Sequence, residues 1–266
     1  MGTCKYCEKP AGLLRNTHPE CEHLHNRLIL EVFQAISGLD NFDELEKNIS
    51  DLARHEQKAI LINGWEKSVD LFLEDGILDE AEEKRLAEFK EHFSLSQDEL
   101  DRNGALTNIV KSAVLREILN GQIPQSISFD SDLPINLQKG EQVVWAFPAS
   151  KYLEDKTRRQ YVGRSQGVSV RLMKGFYYRV GSFKGQAVEY TDRIHLDTGI
   201  VFVTNKNLYF AGSRKSLRLP YSKIVSFEPF SDGIGIIRDA ASAKPQIFVT
   251  GDGWFTYNLV TNLARL

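Results

Sequence analysis

All three cysteines of the chain and one of its six histidines fall within the first two dozen residues, as Cys4-Lys5-Tyr6-Cys7 and His18-Pro19-Glu20-Cys21. A C-x2-C pair lets two thiolates share one ion, and three thiolates with one imidazole supply the four ligands of a closed tetrahedral Zn2+ site. A catalytic zinc keeps one position open for water. Cys4, Cys7, His18 and Cys21 fill the sphere, so the expected cofactor is one structural Zn2+. C-x2-C also serves as a redox pair, but in a βαβ context that this segment lacks. His23 and His25 stand in reserve as ligands and read as solvent-facing or packing residues of a helix.

The elements around these residues suit a metal. Lys9-Pro10-Ala11-Gly12 reads as a tight turn after the knuckle, and Thr17-x-x-Glu20 as a capping box with Pro19 inside the first helical turn. His18 and Cys21 then lie on the first turn of a helix. Knuckle, short hairpin and two ligands at a helix start resemble a treble-clef-like zinc finger.

At 266 residues, 42% hydrophobic and 26% charged with a net charge of -3, the chain has the composition of an ordinary globular protein of two or three units. It has no apolar run near eighteen residues, no signal-peptide pattern and no terminal lipidation motif, so the expected localisation is cytoplasmic. Three cysteines confined to one cluster agree, since a disulfide framework would be even in number and spread through the fold. Charge is distributed unevenly. Acidic residues outnumber basic ones by more than two to one between Asp40 and Asp101, whereas Lys151 to Lys184 carries nine cations against Glu154 and Asp155. Between the two lies Gln122 to Pro134, with Pro124, Pro134, Ser126, Ser128 and Ser131 and no helical period, as in a linker. The expected organisation is a finger and first helix over 1–38, an acidic helical domain over 39–121, a linker over 122–134 and a β domain over 135–266.

Helical stripes precede the linker: Leu24, Leu28, Val32 and Ala35; Leu61, Trp65, Val69 and Phe72; Leu86, Phe89 and Phe93; Leu106, Val110, Ala113, Val114 and Ile118. Asp79-x-x-Glu82 and Ser96-x-x-Glu99 are capping boxes, Asp75-Gly76 is a turn, and Gly121 followed by Pro124 is a stop. These stripes read as a helical core. Asp75 to Glu82 has the glycine and acidic helix of a calcium-binding EF-hand, but that alignment puts Leu71 and Leu73 where carboxylates must coordinate, so a metal-free helix-turn-helix is expected. The acidic helices resemble those of tellurite-resistance-type proteins, and no function is taken from that likeness.

After the linker the period changes to that of strands. Nine runs rich in β-branched and aromatic residues, from Gln142–Phe147 to Gln246–Val249, are separated by turns such as Asn205-Lys206, Gly212-Ser213 and Asp232-Gly233. A helix over 252–266 follows, with Phe255, Leu259 and Leu263 on one face. The stretch from Asp197 through Thr204-Asn-Lys-Asn207 to Phe210-Ala-Gly212, then Leu219-Pro-Tyr-Ser-Lys-Ile224 and Phe230-Ser-Asp-Gly-Ile234, resembles the core of GRAM and bacterial PH-like domains. The likeness covers roughly the last half of the chain. It implies an α+β protein: a zinc finger and helical region, then a PH-like antiparallel β-barrel with a C-terminal helix. It also implies a binding platform for lipid headgroups, peptides or partner domains. Together with the finger, the architecture resembles that of bacterial cytoplasmic proteins.

No catalytic constellation emerges. His55, His92 and His195 lack a neighbouring nucleophile or carboxylate motif, and Gly163-x-x-x-Gly167 and Gly181-x-x-x-Gly185 lack the Lys-Ser/Thr of a phosphate loop. The finger balances Lys5, Lys9 and Arg15 against Glu8, Glu20 and Glu22, which offers no net field for phosphate. The expectation is therefore a non-enzymatic binding or adaptor protein with a protein partner. Anionic membrane lipid is the alternative and nucleic acid the second alternative. PH-like barrels that read anionic headgroups use basic residues on and beside the loop joining the first two strands. By that resemblance Lys156, Arg158 and Arg159, with Arg171 and Lys174 beyond them, are the anionic-ligand candidates.

Overall fold

Helical and strand periods separate in space as they do along the chain. The computed structural model describes residues 2–38, 42–124, 133–155, 167–173, 176–181, 193–240 and 244–266. The chain divides into two compact units, Met1–Arg116 and Glu117–Leu266. The expected linker lies for the most part outside the described residues.

The first unit opens with a two-stranded antiparallel ladder, β1 (Gly2–Thr3) and β2 (Pro10–Gly12), and continues through α1 (Pro19–Ser37), α2 (Asp43–Ile49), α3 (Arg54–Phe72), α4 (Glu80–His92), α5 (Gln97–Leu100) and α6 (Ala105–Leu119). Leu28, Val32 and Ile36 of α1 meet Ile60, Leu61, Trp65 and Val69 of α3 and Leu86 and Phe89 of α4 in one buried cluster. The tightest approach is between α1 and α3. A Cβ on Gly64 would lie 2.4 Å from Val32 Cβ, so the helices close on a position where no side chain fits.

Local chemistry accounts for most of the boundaries. Asp79 accepts from Glu82 N–H at 2.8 Å while Glu82 accepts from Asp79 N–H at 3.0 Å, and Glu99 accepts from Ser96 N–H at 3.1 Å, as the two boxes predict. The expected box at Thr17 does not form. The residue before α1 is His18, with no side-chain cap, because its ring is engaged with Cys7 and the Pro10 carbonyl. The expected turn over Lys9–Gly12 is instead the strand β2, since these residues pair back onto β1. The buried face of α1 keeps Leu28 and Val32 of the expected stripe, with Ala35 packed against the core, and differs at its start. His25 is buried while Leu24 is 36% exposed, and Val110 of α6 likewise faces outward. The helix α2 has no counterpart among the four expected stripes; seven residues with Leu45 and Ile49 buried are too short for a period to show.

The second unit contains β3 (Val143–Asp155), β4 (Gly167–Met173), β5 (Phe176–Gly181), β6 (Arg193–Thr204), β7 (Asn207–Gly212), β8 (Ser216–Pro220), β9 (Ile224–Phe230), β10 (Gly233–Arg238), β11 (Gln246–Val249) and α7 (Gly253–Leu263). Seven strands form one antiparallel sheet in the order β8-β7-β6-β3-β11-β10-β9, and β4 with β5 makes a separate hairpin. Phe255, Leu259, Val260 and Leu263 of α7 are buried, and the helix lies against β9 and β10.

A closed barrel was the expectation, and the sheet is open. Its outermost strands, β8 and β9, share no ladder among the described residues. They are consecutive in the chain, joined only by the 3-10 turn Tyr221–Lys223. Laid flat, six inter-strand gaps of about 4.8 Å would hold these edges roughly 29 Å apart. Three residues reach about 10 Å at most. The sheet must therefore curl until its edges meet at one corner, and meeting at a corner rather than side by side leaves no shared ladder.

The residues that carry the GRAM-like resemblance act in the fold. Asp197 accepts from the backbone N–H groups of Thr198 (2.9 Å), Arg214 (2.6 Å) and Lys215 (2.9 Å), which ties β6 to the turn after β7. A Cβ on Gly212 would sit 2.4 Å from the Asp197 carboxylate, hence the glycine. Under the Asn205-Lys206 turn, the buried Glu141 accepts from Thr204 and Asn207 side chains at 2.6 Å each and from the Tyr209 hydroxyl at 2.9 Å.

Candidate metal centre

The four candidate ligands come in pairs from two pieces of backbone, the loop after β1 and the start of α1, that the fold draws together. Cys4 follows β1 and turns back on itself: its N–H donates to the Lys9 carbonyl at 2.8 Å, and its own carbonyl accepts from Glu8 N–H at 2.9 Å. This closes a loop that brings Cys7 beside Cys4. The ladder between β1 and β2, with Lys5 N–H donating to the Asn16 carbonyl at 2.9 Å, delivers the chain to His18 at the start of α1. Cys21 follows one turn later on the same helix.

The sulfurs of Cys4, Cys7 and Cys21 and a ring nitrogen of His18 all lie within 4.8 Å of one another. His18 Nδ1 is 3.4 Å from Cys7 Sγ and 3.7 Å from Cys21 Sγ. A tetrahedral zinc with ordinary Zn–S and Zn–N bonds separates its ligand atoms by roughly 3.5–3.8 Å, a spacing that the two His18 to sulfur distances match. The other ring nitrogen, Nε2, stands 3.1 Å from the Pro10 carbonyl. Nε2–H donates to that oxygen, which fixes the tautomer and leaves the Nδ1 lone pair facing the thiols, the outer-shell arrangement that metal-binding histidines use.

The thiol chemistry agrees. Burial raises the Cys4 thiol, but the backbone N–H groups of Cys7, Tyr6 and His18 outweigh it and hold the group at about 6. Cys21 is pushed up to about 11 by burial and then by the Cys7 and Cys4 sulfurs. Cys4 thus ionises readily while Cys21 resists ionising beside it, and a divalent cation between them would favour the thiolate of both.

The sequence did not point to the support behind the knuckle. Tyr6, between the first two cysteines, stacks on His25 with ring centroids 4.5 Å apart. His25 Nδ1 in turn lies 2.6 Å from Glu56 Oε1 on α3, and both residues are buried. The exposed pair Glu8 and His55, 3.7 Å apart, makes a second tie from knuckle to α3. His25 is therefore a packing residue, and His23 is exposed. A second group of ligand-type side chains, Asp43, Glu46 and His92, is fully on the surface. There His92 pairs with Glu46 at 3.5 Å and rests against the Phe42 and Phe93 rings.

Lys156, Arg158, Arg159 and Lys174 lie outside the described residues, and Arg171 is placed only as a position in β4, opposite Tyr177 of β5. The structure thus brings together the four metal candidates, while of the basic strip only the backbone position of Arg171 is among the described residues. Among the described residues no helix is long and apolar enough to cross a membrane. No protein-family model matches the chain, and no curated protein matches it.

Proposed function

We propose that the chain is a non-enzymatic cytosolic binding or adaptor protein, in which a structural Cys3His zinc finger is built onto a helical unit and a PH-like domain supplies an interaction platform. One observation carries the proposal. Four donors lie within 4.8 Å of one another, with the histidine already oriented by a carbonyl, and four protein ligands would fill a tetrahedral zinc and leave no position for a reacting water. Support for the PH-like part comes from the curled antiparallel sheet, α7 lying against β9 and β10, and the Asp197 to Gly212 pairing of the resemblance-bearing residues.

The test is metal analysis of protein purified without chelators, followed by removal of the ion. One zinc per chain is expected, Cys7→Ser releases it, and stripping the ion lowers helical content and melting temperature together. A chain that holds no zinc, or one that loses zinc with its melting temperature unchanged, contradicts a structural role.

A further inference from the structure

The distal turn of the finger displays two leucines that pack on nothing. Leu13 is 81% exposed and Leu14 99% exposed, directly after β2. Exposure that complete makes them a protrusion from the described residues of the first unit rather than one wall of a groove. Leu14 also has φ of 64°, the left-handed region that β-free or short polar residues occupy readily and leucine does not. The turn is nonetheless held from both sides. Gly12 pairs with Gly2 in the ladder, and the Asn16 carbonyl accepts from Lys5 N–H at 2.9 Å. The sequence therefore keeps two large apolar side chains in water, one of them on unfavourable backbone, where Asn or Gly would relieve the strain and Ser the exposure.

The charge around the tip selects its partner. From Lys9 to Pro19 the chain has no carboxylate; the exposed Arg15 follows the leucines directly, and the exposed Lys9 stands at the other end of β2, beside Cys4 and next to Glu8. The acidic residues of the finger lie outside this loop, at Glu8 and at Glu20 and Glu22 of α1. A convex apolar wedge with a cation at its shoulder fits the interface of an anionic bilayer, which accepts a protrusion of any shape and attracts that charge. A protein partner would need a pocket cut to two leucines and an acidic border.

We propose that Leu13 and Leu14 form a membrane-insertion tip through which the zinc finger touches anionic lipid surfaces. This goes beyond the adaptor reading and involves a different surface from the basic strip of the β domain. The full-length, zinc-loaded chain is mixed with phosphatidylcholine vesicles with and without phosphatidylserine, and pelleting is followed at low and high salt. Wild type is expected to pellet with the anionic vesicles, and less so as salt rises. Leu13→Ser and Leu14→Asn each weaken pelleting by about tenfold, since each removes one leucine from the acyl boundary. Leu14→Asn keeps the test interpretable, because asparagine suits this backbone and leaves zinc content and melting temperature at the wild-type level or better. Absence of pelleting by wild type overturns the proposal. So does equal pelleting of wild type and both variants, which would place the contact elsewhere. Leucine-dependent self-association without pelleting would assign the tip to a second copy of the chain and overturn it too.

Discussion

Removing one carboxylate in the support behind the knuckle tests whether finger and helices share stability. Glu56 and His25 are 6% and 7% exposed and 2.6 Å apart, with the Tyr6 ring stacked on the imidazole. Glu56→Ala leaves the His25 ring buried beside an empty acceptor position. Orphaning a neutral buried donor costs about 1–3 kcal/mol, and breaking a buried ion pair from one side about 3–5 kcal/mol. A loss near 3 kcal/mol is expected in either protonation state of the pair. Replacing both partners with leucine removes the orphan and fills the space, so the double variant should recover to within about 1 kcal/mol of wild type. The assay is urea unfolding of the zinc-saturated chain followed by far-ultraviolet circular dichroism, across wild type, both single variants and the double variant. Because the metal binds only the folded finger, Glu56→Ala should also surrender zinc more readily to a chromophoric chelator than wild type does. A Glu56→Ala chain within about 0.5 kcal/mol of wild type, the range of ordinary surface substitutions, or a double variant as unstable as the sum of the singles, would refute the reasoning.

Two further outcomes follow from packing and charge. Gly64→Ala gains about 1 kcal/mol of helix propensity, but its methyl would stand 2.4 Å from Val32 Cβ. Overpacking of about 1–3 kcal/mol outweighs the gain, so thermal melting should show a net loss that Val32→Ala partly rescues in the same chain; a stabilised Gly64→Ala would show that α1 and α3 do not close as described. Asp197 is held down at about 2, first by the Arg214 N–H and against the effect of burial, with the Lys215 and Thr198 N–H groups adding to it. A carboxylate with a depressed native pKa stabilises the fold above its unfolded value near 4. That contribution is lost as pH falls from about 4 to 2. Strand signal in circular dichroism should weaken over this window in wild type, and Asp197→Asn should flatten that limb; an unchanged acid limb in the variant counts against the role assigned to Asp197.

The metal ligands could be read from sequence because four ligand residues at short spacing need only a local turn and a helix start to meet. The same holds for the strands, whose residue types and turn pairs recur within each hairpin. His25 shows where such reading fails. One residue decides which side of α1 is buried at its start, and a histidine ranks below Leu24 on any apolar scale until Glu56, thirty-one positions away, supplies its partner. Tyr6 was likewise unreadable, since its role depends on a ring delivered by α1. The short helix α2 and the open edge between β8 and β9 are set by tertiary contacts, to which no periodicity corresponds.

The central position of β3 also dictates the order in which the second unit can be built. Its hydrogen bonds run on one side to β6 and on the other to β11, where Glu154 opposes Gln246. These partners are separated by about ninety residues, a contact of high sequence separation that is slow to form. In a chain emerging from the ribosome, β3 therefore waits with one ladder unsatisfied until β11, about ninety residues further on, has been made, whereas α1 and α3 of the first unit can dock long before. During that interval Tyr152 can pack on the Phe210 ring of β7, 5.4 Å away, but still lacks the Phe248 ring of β11 that stacks on it at 5.3 Å in the finished fold. Synthesis halted between β7 and β11 would release the complete set of first-unit helices joined to an unsealed sheet with an exposed strand edge, the kind of species that chaperones bind and proteases remove.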